Sequence, residues 1–296
     1  MPELPEVETI VRSLRNPGSG LFGDEKNLQT RPGILGRVIC GSSILWSRSL
    51  VMPGVDEFQI QIYQRKIQNV SRRGKLIQIE LNGFFLFIHL RMSGNILVEN
   101  EDTKRNVTHD RLVMSFDDHT QLVFNDPRKF GRIWLTQDIE KVIGHLGPEP
   151  LSAEFTNEEI YAKLQRTHRQ IKPLLLDQKF IAGLGNIYTD EALFRAGIHP
   201  STPACSLDPI RSGALLASIK LVLEDGIRRN GASIDWVYRG GDFQNYFQVY
   251  QRQGEPCPKC GIPIKRMVIG SRGTHFCPQC QPQQDHNGCH KYTKIM

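Results

Sequence analysis

Ile77-Gln78-Ile79-Glu80-Leu81-Asn82-Gly83-Phe84-Phe85-Leu86-Phe87-Ile88 decides how the first half of this chain folds. Ile77, Ile79 and Leu81 alternate with Gln78 and Glu80, which is the period of a strand with one buried face. Asn82-Gly83 marks a hairpin turn, and Phe84 to Ile88 reads as the returning strand. Working outward, Arg111 to Phe116 and Gln121 to Phe124 fit further short strands joined by the polar turn Asp117-Asp118-His119-Thr120. The whole stretch from Ile34 to Leu135 therefore reads as β-rich. Gly18 to Gln29 ahead of it reads as a flexible surface loop, and Gly147-Pro148-Glu149-Pro150 behind it as a linker.

Beyond that linker the apolar period changes to that of helices. Thr156–Gln165, Ile171–Leu176 and Asp190–Ala196 fit it, and Gly213–Arg229 fits it best, with Leu216, Ile219, Leu223 and Ile227 on one face. Between two of these helices lies the glycine-rich turn Ile181-Ala-Gly-Leu-Gly-Asn186. From Gln281 to Met296 the chain is polar and is expected to fray.

A chain of 296 residues accommodates two domains and a small third module, and 39% apolar residues support real cores. No apolar run approaches the ~20 residues of a membrane span, and the start lacks the pattern of a secretion signal. A soluble cytoplasmic protein is expected. The net charge of +6 points toward a polyanionic partner.

Four of the seven cysteines form two pairs, Cys257-Pro-Lys-Cys260 and Cys277-Pro-Gln-Cys280, with sixteen residues between them. This is the spacing of a closed four-thiolate zinc site, structural because it leaves no position for water. The intervening hairpin carries Lys265, Arg266, Arg272 and Gly273. Cys40 and Cys205 are expected to be buried free thiols.

Three other stretches each admit two readings. Met1-Pro2-Glu3-Leu4-Pro5-Glu6 is either an ordinary acidic start to a helix at about Pro5 or a catalytic N-terminus. In the second case removal of Met1 exposes the Pro2 amine, whose pKa near ~8 leaves a nucleophilic neutral fraction, with Glu3 as proton donor and Glu6 as orienter. Gly183-Leu-Gly-Asn186 is either a simple turn or a phosphate-binding one beside Arg166, His168, Arg169 and Lys172. Asn125-Asp-Pro-Arg128-Lys129-Phe130-Gly131 is either a hairpin with Phe130 in the core or a wedge for a base stack.

Taken in order, PELPEVE, SRRGK ending at Lys75, His89-Leu-Arg-Met92-Ser-Gly, NDPRKFG, GLGNIY and RGTHFCPQCQ resemble the bacterial formamidopyrimidine-DNA glycosylase family from Pro2 to Gln281. The resemblance implies an α+β multidomain protein. Its parts would be an N-terminal β-sandwich with flanking helices (2–136), a helix–two-turn–helix domain (151–245), a C-terminal zinc-finger hairpin (248–282) and a tail (283–296). It implies a bifunctional DNA glycosylase and AP lyase of base excision repair. Such an enzyme removes 8-oxoguanine and formamidopyrimidines from duplex DNA through a Pro2 Schiff base, and cleaves the strand by β,δ-elimination. One structural zinc ion, monomeric action and a place at the bacterial nucleoid are implied as well.

By position, Pro2 resembles the nucleophile and Glu3 the acid that opens the sugar. Lys75 resembles a β-strand lysine that contacts phosphate and assists elimination, and Arg272 the finger arginine that grips the flanking phosphates. His89, His109, Arg128, Lys172 and Asn186 match DNA contacts, while Met92, Arg128 and Phe130 match the trio that fills the void of an everted base. Thr167 stands at a further contact position that is often basic in the family, which puts a charge-based contact there in doubt. The Asn16–Gln29 stretch is longer than usual, and the tail passes the typical end. Two rivals remain: the related endonuclease VIII-type enzymes, against which the complete Met92, Arg128, Phe130 set argues, and a non-catalytic zinc-finger DNA-binding protein.

Overall fold

The computed structural model describes residues 1–16, 33–233 and 240–283. The loop expected at Gly18–Gln29 and residues 284–296 of the tail lie outside the described residues. The chain divides into two compact units, Met1–His145 with Gly226–Gln244, and Leu146–Asp225 with Asn245–Met296.

The first unit runs through α1 (Leu4–Arg15), β1 (Ile39–Ile44), β2 (Leu50–Met52), α2 (Val55–Ile62), β3 (Ile67–Arg73), β4 (Leu76–Leu81) and β5 (Phe84–His89). It continues through β6 (Asn95–Asn100), β7 (Asp110–Phe116), β8 (Thr120–Asn125), β9 (Arg132–Thr136) and the short α3 (Glu140–Ile143). The strands form two sheets, of order β2-β9-β5-β4-β3 and β1-β7-β8-β6. Ile77, Ile79, Leu86 and Ile88 from one sheet share a single buried cluster with Leu112, Met114, Leu122 and Phe124 from the other. Val7, Ile10, Val11 and Leu14 of α1 join the same cluster. The expected sandwich with a flanking helix is thus present. In β4 and β5 the register sets Leu81 opposite Phe84, so Asn82-Gly83 is a two-residue turn, with Gly83 at φ +81°.

Three readings need correction. The β-rich stretch contains a helix, α2, because Phe58 and Ile62 stand one helical turn apart and both are fully buried. Neither cysteine expected to be a buried free thiol is one: Cys40 is exposed, since Ile39 takes the inward position on β1 and its neighbour faces out, and Cys205 is half-buried and disulfide-bonded. Gly147–Pro150 is not a free linker. Gly147 donates to the Gln178 carbonyl at 2.8 Å, and the Pro148 carbonyl accepts the Ala182 N–H at 3.0 Å.

The second unit holds α4 (Asn157–Gln165), α5 (Ile171–Leu176), α6 (Asn186–Arg195), most of α7 (Pro209–Arg228) and the hairpin β10 (Lys265–Ile269) and β11 (Arg272–Phe276). Thr156 caps α4 by accepting the Glu159 N–H. α7 starts earlier than its apolar period indicates. Asp208 accepts the Arg211 N–H at 2.7 Å and Pro209 follows, a cap-and-proline start that precedes the first core residue. After α7 the chain returns to the first unit from Gly226 to Gln244, a segment expected within the helical domain. Its anchor there is described below. Gln281, expected to fray, is fully buried. Its side chain accepts the Cys277 N–H at 2.9 Å and donates to the Ile198 carbonyl at 2.8 Å. Among the described residues no helix is long and apolar enough to cross a membrane.

Candidate active site and nucleic-acid interface

Pro2, Glu3 and Glu6 are all buried at the start of α1. Glu3 is the N-cap, and the Glu6 carboxylate accepts the Glu3 N–H at 2.8 Å, half of a capping box. The other Glu6 oxygen accepts the Ala232 N–H, also at 2.8 Å. This bond anchors the segment after α7. A side chain at Gly231, whose φ is +81°, would meet Glu6 Oε1 at 2.6 Å, so only glycine lets that turn approach so closely. Glu6 therefore ties the backbone of Glu3, next to Pro2, to that of Ala232.

α1 lies along β3. Arg15 donates through Nε to the Val70 carbonyl, and Arg72 pairs with Glu8 at 3.0 Å. These contacts climb β3 as they descend α1, so the helix N-terminus is directed toward the β3–β4 turn. That turn is Gly74-Lys75, between the paired Arg73 and Leu76. Lys75 thus sits in a hairpin turn rather than within a strand, and it is buried all the same. His89 lies opposite Leu76 on β5. Burial, with the nearby Arg91 and Lys75 charges, pulls the His89 pKa down to about 3. Its Nδ1 accepts the Arg91 N–H at 2.9 Å, which leaves the proton on Nε2 as a donor for an anion.

Met92, Arg128 and Phe130 are exposed on two loops that share one support. Asp126 is fully buried. It accepts the Ser93 hydroxyl from the first loop and the Gly131 N–H at 2.7 Å from the second. Ser93 in turn accepts the Arg128 N–H at 3.2 Å. Beneath both loops lies the Phe124 ring: a Cβ at Gly94 would approach it to 2.7 Å and one at Gly131 to 2.2 Å. Phe130, 47% exposed, is not the core residue that the hairpin reading of this turn expects. Arg128 lies over the Phe130 ring at 5.0 Å. His109 is exposed beside them, and its carbonyl accepts the Asp126 N–H at 2.7 Å. Sequence reasoning passed over Asp126 and Ser93, although both stand inside the quoted motifs. The signal is their chemistry, since an acid before a proline and a hydroxyl before a glycine are natural loop ties.

In the second unit Gln178 closes the glycine turn, accepting the Gly183 N–H at 2.9 Å and donating to the Leu184 carbonyl at 2.8 Å. α6 then begins at Asn186. Lys172 is fully buried: its ammonium contacts Asp190 at 2.6 Å and the Gly273 carbonyl at 3.0 Å. Asn186 donates to the same carbonyl at 2.9 Å. Asp190 also accepts the His275 N–H at 2.9 Å. Lys172, Asn186 and Asp190 thus converge on the strand that begins with Arg272. Next to Asp190, Glu191 accepts three successive N–H groups, of Gln248, Val249 and Tyr250, at 2.8–3.0 Å. Burial pushes its carboxyl pKa up while those bonds oppose the rise. Thr167 is half-buried, its hydroxyl accepting the Arg169 N–H at 3.2 Å, and Arg169 pairs with Asp177 at 2.8 Å.

The sulfurs of Cys257, Cys260, Cys277 and Cys280 lie within 4.8 Å of one another, with 3.8 Å between Cys257 and Cys280 and 3.4 Å between Cys260 and Cys277. Tetrahedral zinc with Zn–S near ~2.3 Å needs sulfurs about 3.8 Å apart, so the four are positioned to hold one zinc ion. Burial and the three neighbouring thiols push the Cys280 pKa up to about 12, an effect that a central dication reverses. Gly270 and Ser271, both at positive φ, turn the hairpin and leave Arg272 exposed at its tip.

A sheet unit with an exposed cation–aromatic turn, a helical unit and a basic zinc finger define the class of zinc-finger enzymes that work on DNA. Comparison with known proteins gives the family. Residues 26–133 match the formamidopyrimidine-DNA glycosylase N-terminal domain, 146–237 its H2TH domain, and 254–283 the zinc finger found in FPG and IleRS. The chain is 41% identical over 290 residues to the formamidopyrimidine-DNA glycosylase of Protochlamydia amoebophila, covering 95% of this chain and 99% of that one. It is 42% identical over 288 residues to that of Chloroflexus aurantiacus, covering 95% and 98%. Lactococcus lactis Fpg in complex with an N7-benzyl-Fapy-dG-containing DNA superimposes with a TM-score of 0.83 at 37% identity, over 95% of this chain and 100% of that one. The chain belongs to the formamidopyrimidine-DNA glycosylase family. It is a DNA glycosylase of base excision repair with that family's AP lyase activity.

Proposed function

We propose that the protein excises oxidised purines, 8-oxoguanine and formamidopyrimidines, from duplex DNA, and that Pro2 is its nucleophile. The observation that carries this reading is the clamp on the N-terminus. Two buried carboxylates follow Pro2, and one of them, Glu6, spends its oxygens on tying the Glu3 backbone to that of Ala232. An ordinary helix start uses the first of these bonds as a capping box but has no use for the second. The Pro2 nitrogen, freed by removal of Met1, attacks C1′ of the damaged nucleoside while Glu3 supplies the proton that opens the sugar ring. The base leaves and an iminium joins Pro2 to C1′. That cation acidifies the C2′ proton, whose loss expels the 3′ phosphate, and a second elimination expels the 5′ phosphate. Lys75 and Arg272 hold the phosphates involved. Lactococcus lactis Fpg has been solved with Fapy-dG DNA and with abasic-site DNA, which supports the same order of events here.

A base inside a duplex is out of reach of a buried amine, so the nucleotide must leave the stack. Met92, Arg128 and Phe130 fill the void, and Arg128 donates to the estranged cytosine. His89 and His109 donate to the phosphate backbone. In the second unit Asn186 and Thr167 lie at the duplex surface, and Lys172, spent on Asp190, acts through the strand of Arg272. The protein works as a monomer at the bacterial nucleoid, with its chemistry in residues 2–136 and duplex grip in 151–245 and 248–282. Borohydride trapping on an 8-oxoguanine duplex tests the core of this. The adduct is expected on the N-terminal peptide, and Pro2→Gly should nearly abolish it. An adduct on Lys75 in the unmodified enzyme would sink the assignment.

A further inference from the structure

Trp46 belongs to none of the groups described so far, yet it is tied to the base-replacing turn. Lys129, the middle residue between Arg128 and Phe130, has φ +61°, a backbone conformation disfavoured for a residue with a side chain. Its ammonium lies 4.1 Å from the centroid of the Trp46 ring. Lys129 is thus seated on the indole, while its two neighbours Arg128 and Phe130 pair with each other instead. The Arg128 guanidinium lies 5.0 Å over the Phe130 ring. The backbone of the turn is held by Asp126, whose carbonyl accepts the Lys129 N–H at 3.3 Å, and by Ser93, but these bonds do not fix where the side chains of residues 128–130 point.

The backbone that carries the indole is itself fixed. The Trp46 carbonyl accepts the Ser49 hydroxyl at 2.7 Å and the Ser49 N–H at 3.0 Å. Leu45 donates to the Arg111 carbonyl at 2.9 Å, and Arg111 Nε donates to the Asp126 carbonyl at 2.8 Å. The platform and the turn are therefore both fastened to Arg111, which sets the distance between them. We propose that Trp46 is a positioning residue for lesion recognition: its ring anchors Lys129 and so directs Arg128 and Phe130 together into the helix. The proposal rests on the reading that these two side chains enter the duplex.

The test compares excision of 8-oxoguanine opposite cytosine and opposite adenine in Trp46→Leu, Trp46→Phe, Lys129→Met and the Leu/Met double variant, with thermal unfolding alongside. A half-exposed cation–π contact corresponds to about a two- to fivefold change. The cytosine preference is expected to fall by that factor in Trp46→Leu and in Lys129→Met and no further in the double variant, while Trp46→Phe, which keeps a ring, retains it. An unchanged preference in both single variants, or losses that multiply in the double variant, overturns the proposal. If Trp46→Leu melts early, Lys129→Met carries the test, because that side chain is exposed. Arg128→Ala separates the two levels. If it leaves the preference intact, the reading of the wedge has failed. If it flattens the preference while the Trp46 and Lys129 variants do not, only this inference has failed.

Discussion

Glu6 accepts the backbone N–H of Ala232 at 2.8 Å across 226 residues of sequence, through the carboxylate whose other oxygen holds the Glu3 N–H. The start of the chain and the segment after α7 are thereby joined at one buried side chain. Glu6→Gln keeps the shape but has one acceptor oxygen for two N–H donors. A buried donor left unmet costs about 1–3 kcal/mol. The variant is expected to unfold at lower urea concentration and to form borohydride adduct more slowly, with zinc content unchanged. An unaltered trapping rate would show that the clamp does not serve Pro2.

Removal of the metal should separate binding from folding. Chelation, or Cys257→Ser, is expected to abolish duplex affinity and cleavage, since zinc shapes the hairpin that presents Arg272. The sandwich draws its core from other residues and should keep its unfolding transition. Full duplex affinity in zinc-free protein, measured by fluorescence anisotropy, would contradict this.

Arg128 should set the preference for the opposite base. Cytosine offers O2 and N3 as acceptors, whereas adenine presents its N6 donor on the pairing edge. One mismatched donor is worth about 1–3 kcal/mol, or roughly ten- to a hundredfold. Excision of 8-oxoguanine is therefore expected to be faster opposite cytosine, and Arg128→Ala should flatten the difference. Equal rates in the unmodified enzyme, or faster removal of oxidised pyrimidines, would overturn the substrate assignment.

His89 predicts a pH effect. The unfolded chain takes up a proton there near pH ~6.5, whereas the folded chain resists it until about 3. Below ~6.5 the unfolded state thus binds the extra proton, and stability falls as the pH drops across that window, by at most about 1.4 kcal/mol per pH unit. His89→Gln should remove that part of the slope in urea titrations between pH 5 and 7. A slope unchanged by the substitution would show that His89 titrates normally.

The β4–β5 hairpin was legible because its alternation, its turn and its burial all point one way. The zinc site was legible from spacing, and the helices of the second unit from their apolar period. What escaped was whatever depends on contacts distant in sequence. Nothing local announces that Glu6 meets Ala232, or that Lys172 faces Asp190 and the Gly273 carbonyl. α2 escaped because eight residues with two buried positions make too short a period. The early start of α7 is written in Asp208-Pro209, a cap and proline that lie ahead of the apolar face beginning at Leu216.

Phe124 bears on how this protein can diverge. Its ring stands where a methyl group on either Gly94 or Gly131 would have to go. Any mutation away from glycine at those positions meets a rigid aromatic, and a smaller residue at 124 would leave a cavity under two glycines. Positions 94, 124 and 131 are thus expected to be inherited as a block. Exchanging the ring could open room at Gly131, but Gly94 would stay closed, because a Cβ there also meets the Leu90 carbonyl at 2.5 Å.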